Sequence, residues 1–66
     1  MRDIKMNIES IRVYMGLTRP EMAEKMEISL DRYNRLATGE SKMLATELVQ
    51  LHQISDVPYE NILIPN

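Results

Sequence analysis

The sequence predicts an all-α domain, a compact bundle of five short helices, on three observations. Apolar residues recur at helical spacing through most of the chain. Capping residues and glycines stand where those stripes start and stop. The stripes are joined by short connections, and no hairpin signal, internal repeat or low-complexity tract interrupts them. The 66 residues are expected to form a single domain, 1–66, with no separate effector domain. A chain this short buries only about 60% of its unfolded surface, so a partner subunit would help it.

Ile8, Ile11 and Met15 form the first stripe, which Ile4 would extend. Asn7 can cap a helix over 8–15, or Asp3 can start it earlier, so residues 1–6 are either an extended arm or an extra helical turn. Gly16 ends this helix. Thr18 and Glu21 have the spacing of a capping box, and Pro20 is tolerated in the first turn, where its missing N–H would be unpaired anyway. The second helix covers 19–26, with Met22, Ala23 and Met26 inward. Ser29 caps a third over 30–37, with Tyr33 and Leu36 inward and Gly39 just past its end. Leu44, Leu48, Leu51 and Ile54 or Ser55 mark a fourth over 44–54. Pro58 opens a short fifth through Leu63, with Tyr59 and Ile62 or Leu63 inward.

The net charge of −2 argues against a nucleic-acid binder, but the charge is unevenly placed. Residues 1–42 hold all eight basic groups against seven acids, whereas 43–66 hold three acids (Glu47, Asp56, Glu60) and no Lys or Arg. A phosphate-facing surface can be assembled from the first part, because the local field matters more for docking than the total. With no cysteine there is neither a disulfide framework nor a thiolate metal site. No apolar stretch approaches the ~20 residues of a membrane span, and the N-terminus lacks a signal-peptide core, so a cytoplasmic location is expected. One histidine and no cysteine leave few nucleophile–base pairs. Two glycines make no phosphate-cradling loop, and no metal-site spacing is present. Neither an enzyme nor a cofactor is expected.

The run over 18–37 carries the most information. Two short capped helices are joined by a tight turn, a small residue (Ala23) stands where they must cross, and the second presents two arginines, an asparagine and an aspartate. This is the layout of a helix-turn-helix. The chain resembles the Cro and lambda-repressor type of helix-turn-helix, the XRE family, from Ile8 to Leu63. The resemblance rests on I-R-V-Y-M-G-L-T (11–18), E-M-A-E-K-M-E-I-S (21–29), the gaps from Ala23 to Ile28 to Tyr33, the glycine at 39, and V-P-Y-E-N-I-L (57–63). Three positions depart from the pattern. Glu27 stands where the family often has glycine, so a left-handed residue is expected there at a cost of roughly 1 kcal/mol. Arg12 matches the arginine of a family ion pair, but Ala37 stands where its acid would be. The link between the fourth and fifth helices, Ile54-Ser55-Asp56-Val57-Pro58, is one residue long.

The resemblance implies a DNA-binding transcription regulator with helix 30–37 in the major groove. Leu30, Asp31 and Arg35 fall at its base-reading positions, with Asn34 beside them pairing with adenine or touching phosphate. Arg35 matches guanine O6 and N7, Asp31 the cytosine N4 amino group, and Leu30 a thymine methyl. Thr18, Arg19, Ser29, Arg32 and Lys42 are the phosphate candidates, Arg19 adding a full charge at a helix start. Four phosphate-binding cations per subunit of a dimer would make the log–log salt slope about −7. Against this stands a plainer reading, in which Arg32 and Arg35 form a solvated helix face and Asp31 pairs Arg35 at i,i+4. The methionines read as core filling, Tyr33 as packing with its hydroxyl at the core edge, and His52 as half-buried and structural.

Tyr59, Ile62, Leu63 and Ile64 form an apolar end, either a dimer surface or part of the domain core. A homodimer on double-stranded DNA would place two recognition helices one turn apart, roughly 34 Å, on a palindromic operator. A repressor of bacterial or phage type is expected, with no small-molecule ligand. The alternative is a protein-interaction module, an antitoxin or anti-regulator, on the same fold. The acidic balance and Asp31 favour it.

Overall fold

Asn7 is extended (φ −84°, ψ 175°), and its side-chain oxygen accepts the Ser10 N–H at 2.8 Å. The first helix, α1 (Ile8–Met15), therefore starts at Ile8 in this computed structural model, which describes residues 5–63. Gly16 ends α1 in the left-handed region at φ 73°, where it carries no Cβ penalty. Thr18 and Glu21 complete the capping box of α2 (Arg19–Met26): the Thr18 hydroxyl accepts the Glu21 N–H, and the Glu21 carboxylate accepts the Thr18 N–H at 2.8 Å. Glu27 ends α2 at φ 61°, the left-handed conformation expected of it. Two residues later Ser29 caps α3 (Leu30–Thr38), accepting the Arg32 N–H at 3.0 Å, and Gly39 ends that helix.

The fourth helix, α4 (Ala45–Ser55), begins one residue later than expected. Leu44 is its N-cap and is 59% exposed rather than an inward stripe residue. A leucine side chain accepts no hydrogen bond, so half of the usual box is made alone: the Glu47 carboxylate accepts the Leu44 N–H at 2.7 Å. Asp56 ends α4 in the left-handed region at φ 62°.

The expected fifth helix is replaced by a single 3-10 turn, Tyr59–Asn61. Its hydrogen bonds span three residues, Asn61 N–H to Pro58 O and Ile62 N–H to Tyr59 O. The chain then straightens because Ile62 pairs with Met6 in an isolated parallel bridge, through Met6 N–H to Asn61 O and Leu63 N–H to Met6 O, both 2.8 Å. Met6 is thus extended, which excludes a helix running through 3–15; residues 1–4 lie outside the described residues. The described fold is all-helical apart from this bridge, with four α-helices rather than five.

The core is Ile8, Ile11, Met22, Ala23, Met26, Tyr33, Leu36, Leu51, Val57 and Ile62. Met22, Ala23 and Met26 are all buried where α2 packs on α3, and Met15 and Leu48 pack at the core's margin. Ile62, offered above as a dimer-surface residue, is 5% exposed and belongs to this core, because the bridge to Met6 draws it inward. Among the described residues no helix is long and apolar enough to cross a membrane.

Candidate functional site

The outer side of α3 is built by the helix register. Tyr33 and Leu36 are buried, so Leu30, Asp31 and Arg35 fall on the opposite, exposed side, with Asn34 half-buried between them and α2. Arg35 is 52% exposed and its Nε lies 3.1 Å from the Asp31 carboxylate, the i,i+4 pair of the plainer reading, and 3.7 Å from Glu40. Asp31, Asn34, Arg35, Thr38 and Glu40 line one open hollow on this side.

Arg19 brings the start of α2 to the same place. Its Nη1 donates to Asn34 Oδ1 at 3.1 Å, while Nη2 and Nε donate to Glu9 Oε2 at 2.7 and 3.2 Å. Glu9 is a hub. Its Oε1 also accepts from Arg12 Nε at 2.8 Å and from the Tyr33 hydroxyl at 2.6 Å. The neighbouring Arg12 guanidinium, with help from Tyr33 and Arg19, outweighs partial burial and holds the Glu9 carboxyl at about pKa 2. Burial and the adjoining Glu9 carboxylate push the Tyr33 hydroxyl well above its ordinary value. Arg12 turns to Glu9 and to the Leu17 carbonyl, which its Nη1 reaches at 2.7 Å. One carboxylate therefore ties α1, α2 and α3 together.

Arg32, predicted to meet phosphate, is directed elsewhere. Its Nε and Nη2 grip the Glu47 carboxylate at 2.7 and 2.8 Å, and Nη2 also donates to the Lys42 carbonyl at 2.9 Å. Glu47 is 6% exposed, and the Arg32 guanidinium beside it, more than the Leu44 N–H, holds its carboxyl below the usual range. The two oxygens are fully used, so this arginine is a clamp between α3 and α4. The Thr18 and Ser29 hydroxyls both cap helices. The Lys42 side chain is exposed and makes no ion pair among the described residues.

Of the two acids that organise these arginines, Glu9 was not named above and Glu47 was named only as one of the three acids of residues 43–66. Local signals existed for both: Glu9 stands three residues before Arg12, and Glu47 stands at the third position of α4. At the far end, Tyr59 and Leu63 are 45% and 49% exposed, Tyr59 stacking on His52 with ring centroids 4.0 Å apart. His52 Nδ1 lies 2.8 Å from the Val57 carbonyl. Leu63 rims an open groove of about 220 Å³ with Ile8, Leu36, Ala37 and Met43. Ile64 lies outside the described residues. Among the described residues no cluster of three or more acids, histidines or cysteines can hold a metal ion. No family model matches this chain, and neither a curated protein nor a solved structure matches it.

Proposed function

We propose that this chain is a sequence-specific DNA-binding transcription regulator, a helix-turn-helix repressor acting as a homodimer on a palindromic operator with α3 in the major groove. The observation that carries the reading is the Arg19–Asn34 hydrogen bond. It sets a cation at the start of α2 beside the outward residues of α3, so that one docking event can meet both phosphate and base edges. Leu30, Asp31, Asn34 and Arg35 read bases. Arg19 and Lys42 hold phosphates, with the capped N-termini at Thr18 and Ser29 adding their dipoles. Arg32 leaves the phosphate set, because releasing it would strand a buried Glu47. Two phosphate cations per subunit in a dimer predict a log–log salt slope of about −4. Tyr59 and Leu63 supply the exposed apolar contact between subunits.

Selection of bound duplexes from a random pool, with sedimentation of the complex, tests the reading. A two-fold symmetric site bound by two chains supports it. Absence of binding to any duplex at low salt overturns it. One observation favours the second reading, a protein-interaction module: the Arg35 and Arg19 guanidiniums already face Asp31, Glu40 and Glu9. That surface is self-neutralised and fits a partner protein of mixed charge. Arg35→Ala separates the two, since base preference at one position relaxes only under the first.

A further inference from the structure

We infer that Glu9, on α1 and outside the helices that dock, is a built-in competitor of DNA phosphate for Arg19: it holds the guanidinium in the free protein, yields it on docking, and so sets the strength and salt dependence of binding. This rests on the DNA-binding reading above. An arginine has five N–H donors, and three of those of Arg19 are engaged. Nη2 and Nε donate to Glu9 Oε2 at 2.7 and 3.2 Å, and Nη1 donates to Asn34 Oδ1 at 3.1 Å. Nε and Nη2 form one edge of the planar head, and a phosphate takes that edge only by displacing the carboxylate.

Displacement does not strand Glu9. Its Oε1 keeps the Arg12 Nε bond at 2.8 Å and the Tyr33 hydroxyl bond at 2.6 Å, and Arg12 Nη2 lies 3.5 Å from Oε2. The Glu9 side chain is 26% exposed, so water can take the place that Arg19 leaves. Arg32 has no such exit, because Glu47 grips it with both oxygens and its side chain is 8% exposed. The exchange still carries a penalty. One ion pair is traded for another, and the carboxylate stays near the incoming phosphate as a like charge. That charge is full at neutral pH, since the Arg12 guanidinium holds the carboxyl at about pKa 2. Both penalties act between partly exposed groups and fade with salt. Arg12 opposes them. It offsets the charge of Glu9, and without it Arg19 is the sole cation on Glu9 among the described residues.

Titration of a random-sequence duplex from low to high salt tests this with the wild type, Glu9→Gln, Arg12→Gln and a charge-matched control, Glu24→Gln. The Glu24 carboxylate is exposed and makes no ion pair among the described residues. At low salt Glu9→Gln is expected to bind about threefold more tightly per subunit, about tenfold as a dimer. The gain should vanish toward about 1 M salt, where charges are screened beyond about 3 Å. Arg12→Gln is expected to bind more weakly at low salt, and Glu24→Gln to gain less than Glu9→Gln. A purely structural role would weaken both hub variants, since each loses the Arg12–Glu9 bond. Binding by Glu9→Gln that is unchanged, weaker, or no tighter than that of Glu24→Gln overturns the inference and leaves the DNA-binding reading standing. If thermal melts show Glu9→Gln unfolded, Arg12→Gln decides: a deficit that closes as salt rises supports the inference, and no deficit, or one that persists at every salt concentration, overturns it. Failure of the wild type to retain any duplex overturns both readings.

Discussion

Arg32 and Arg35 stand three residues apart on α3 and meet opposite environments. Arg32 turns toward α4 and closes a two-oxygen grip on Glu47, a carboxylate with 6% exposure. Arg35 turns to solvent and meets Asp31 and Glu40, which are themselves 76% and 69% exposed. The chemistry is identical and the consequences differ. In the first pair the carboxylate is shielded from water, both of its oxygens accept hydrogen bonds, and loss of the arginine strands it. In the second, water competes, the geometry is loose, and the cation is available to a stronger acceptor. A phosphate or a guanine edge can take Arg35 from Asp31 at small cost, but cannot take Arg32 from Glu47 without loosening α4.

The largest expected effect breaks the buried pair. Glu47→Ala removes the Arg32 grip and the Leu44 N–H acceptor together, and urea unfolding should show a loss of about 2–3 kcal/mol. Next comes the other carboxylate hub. Tyr33→Phe deletes one hydroxyl donor to Glu9 in a fully buried ring and should cost about 1.5–2 kcal/mol in the same assay.

Acid sharpens the comparison. Glu9, Glu47 and Glu21 all have folded pKa values below the ordinary 4.5, Glu9 at about 2. A depressed carboxyl binds its proton more readily in the unfolded chain, so its contribution is full above about pH 4.5 and is lost as pH falls toward 2. Thermal melts from pH 6 to pH 2 should fall throughout that lower window, and Glu9→Gln should flatten the slope. The smallest expected effect on folding is Arg35→Ala, within about 0.5 kcal/mol. A larger loss would mean that the Arg35 pair is structural after all, and the contrast between the two arginines would fail.

Much of the chain was legible in advance because caps and glycines act locally. Asn7, Thr18, Ser29, Gly16 and Gly39 each mark a helix end where the backbone turns, and each works through neighbours within four residues. Glu27 was expected to be left-handed only because the resemblance places a glycine there, and its φ is 61°. The segment from Pro58 was not. Its composition suits a fifth helix, but Ile62 is claimed by Met6, fifty-six positions earlier in the chain, and one 3-10 turn is all the length that remains. Leu44 misled for a related reason: an apolar residue at helical spacing was counted into the stripe although it stands at the cap.

By itself the sequence determined the first three helices with their caps, the body of the fourth, and the apolar face that each of them buries, since periodicity and capping are properties of neighbouring residues. It also singled out the outer side of α3 and the cations near it. Tertiary structure alone decided how those cations are spent: Arg32 on Glu47, Arg19 on Glu9 and Asn34, Arg12 on Glu9. Charged side chains are long and reach partners on other helices, so no local pattern settles which acid each arginine meets. The packing of α1, α2, α3 and α4 around Tyr33 and Leu51 sets those distances, and with them which positive charges remain for a partner.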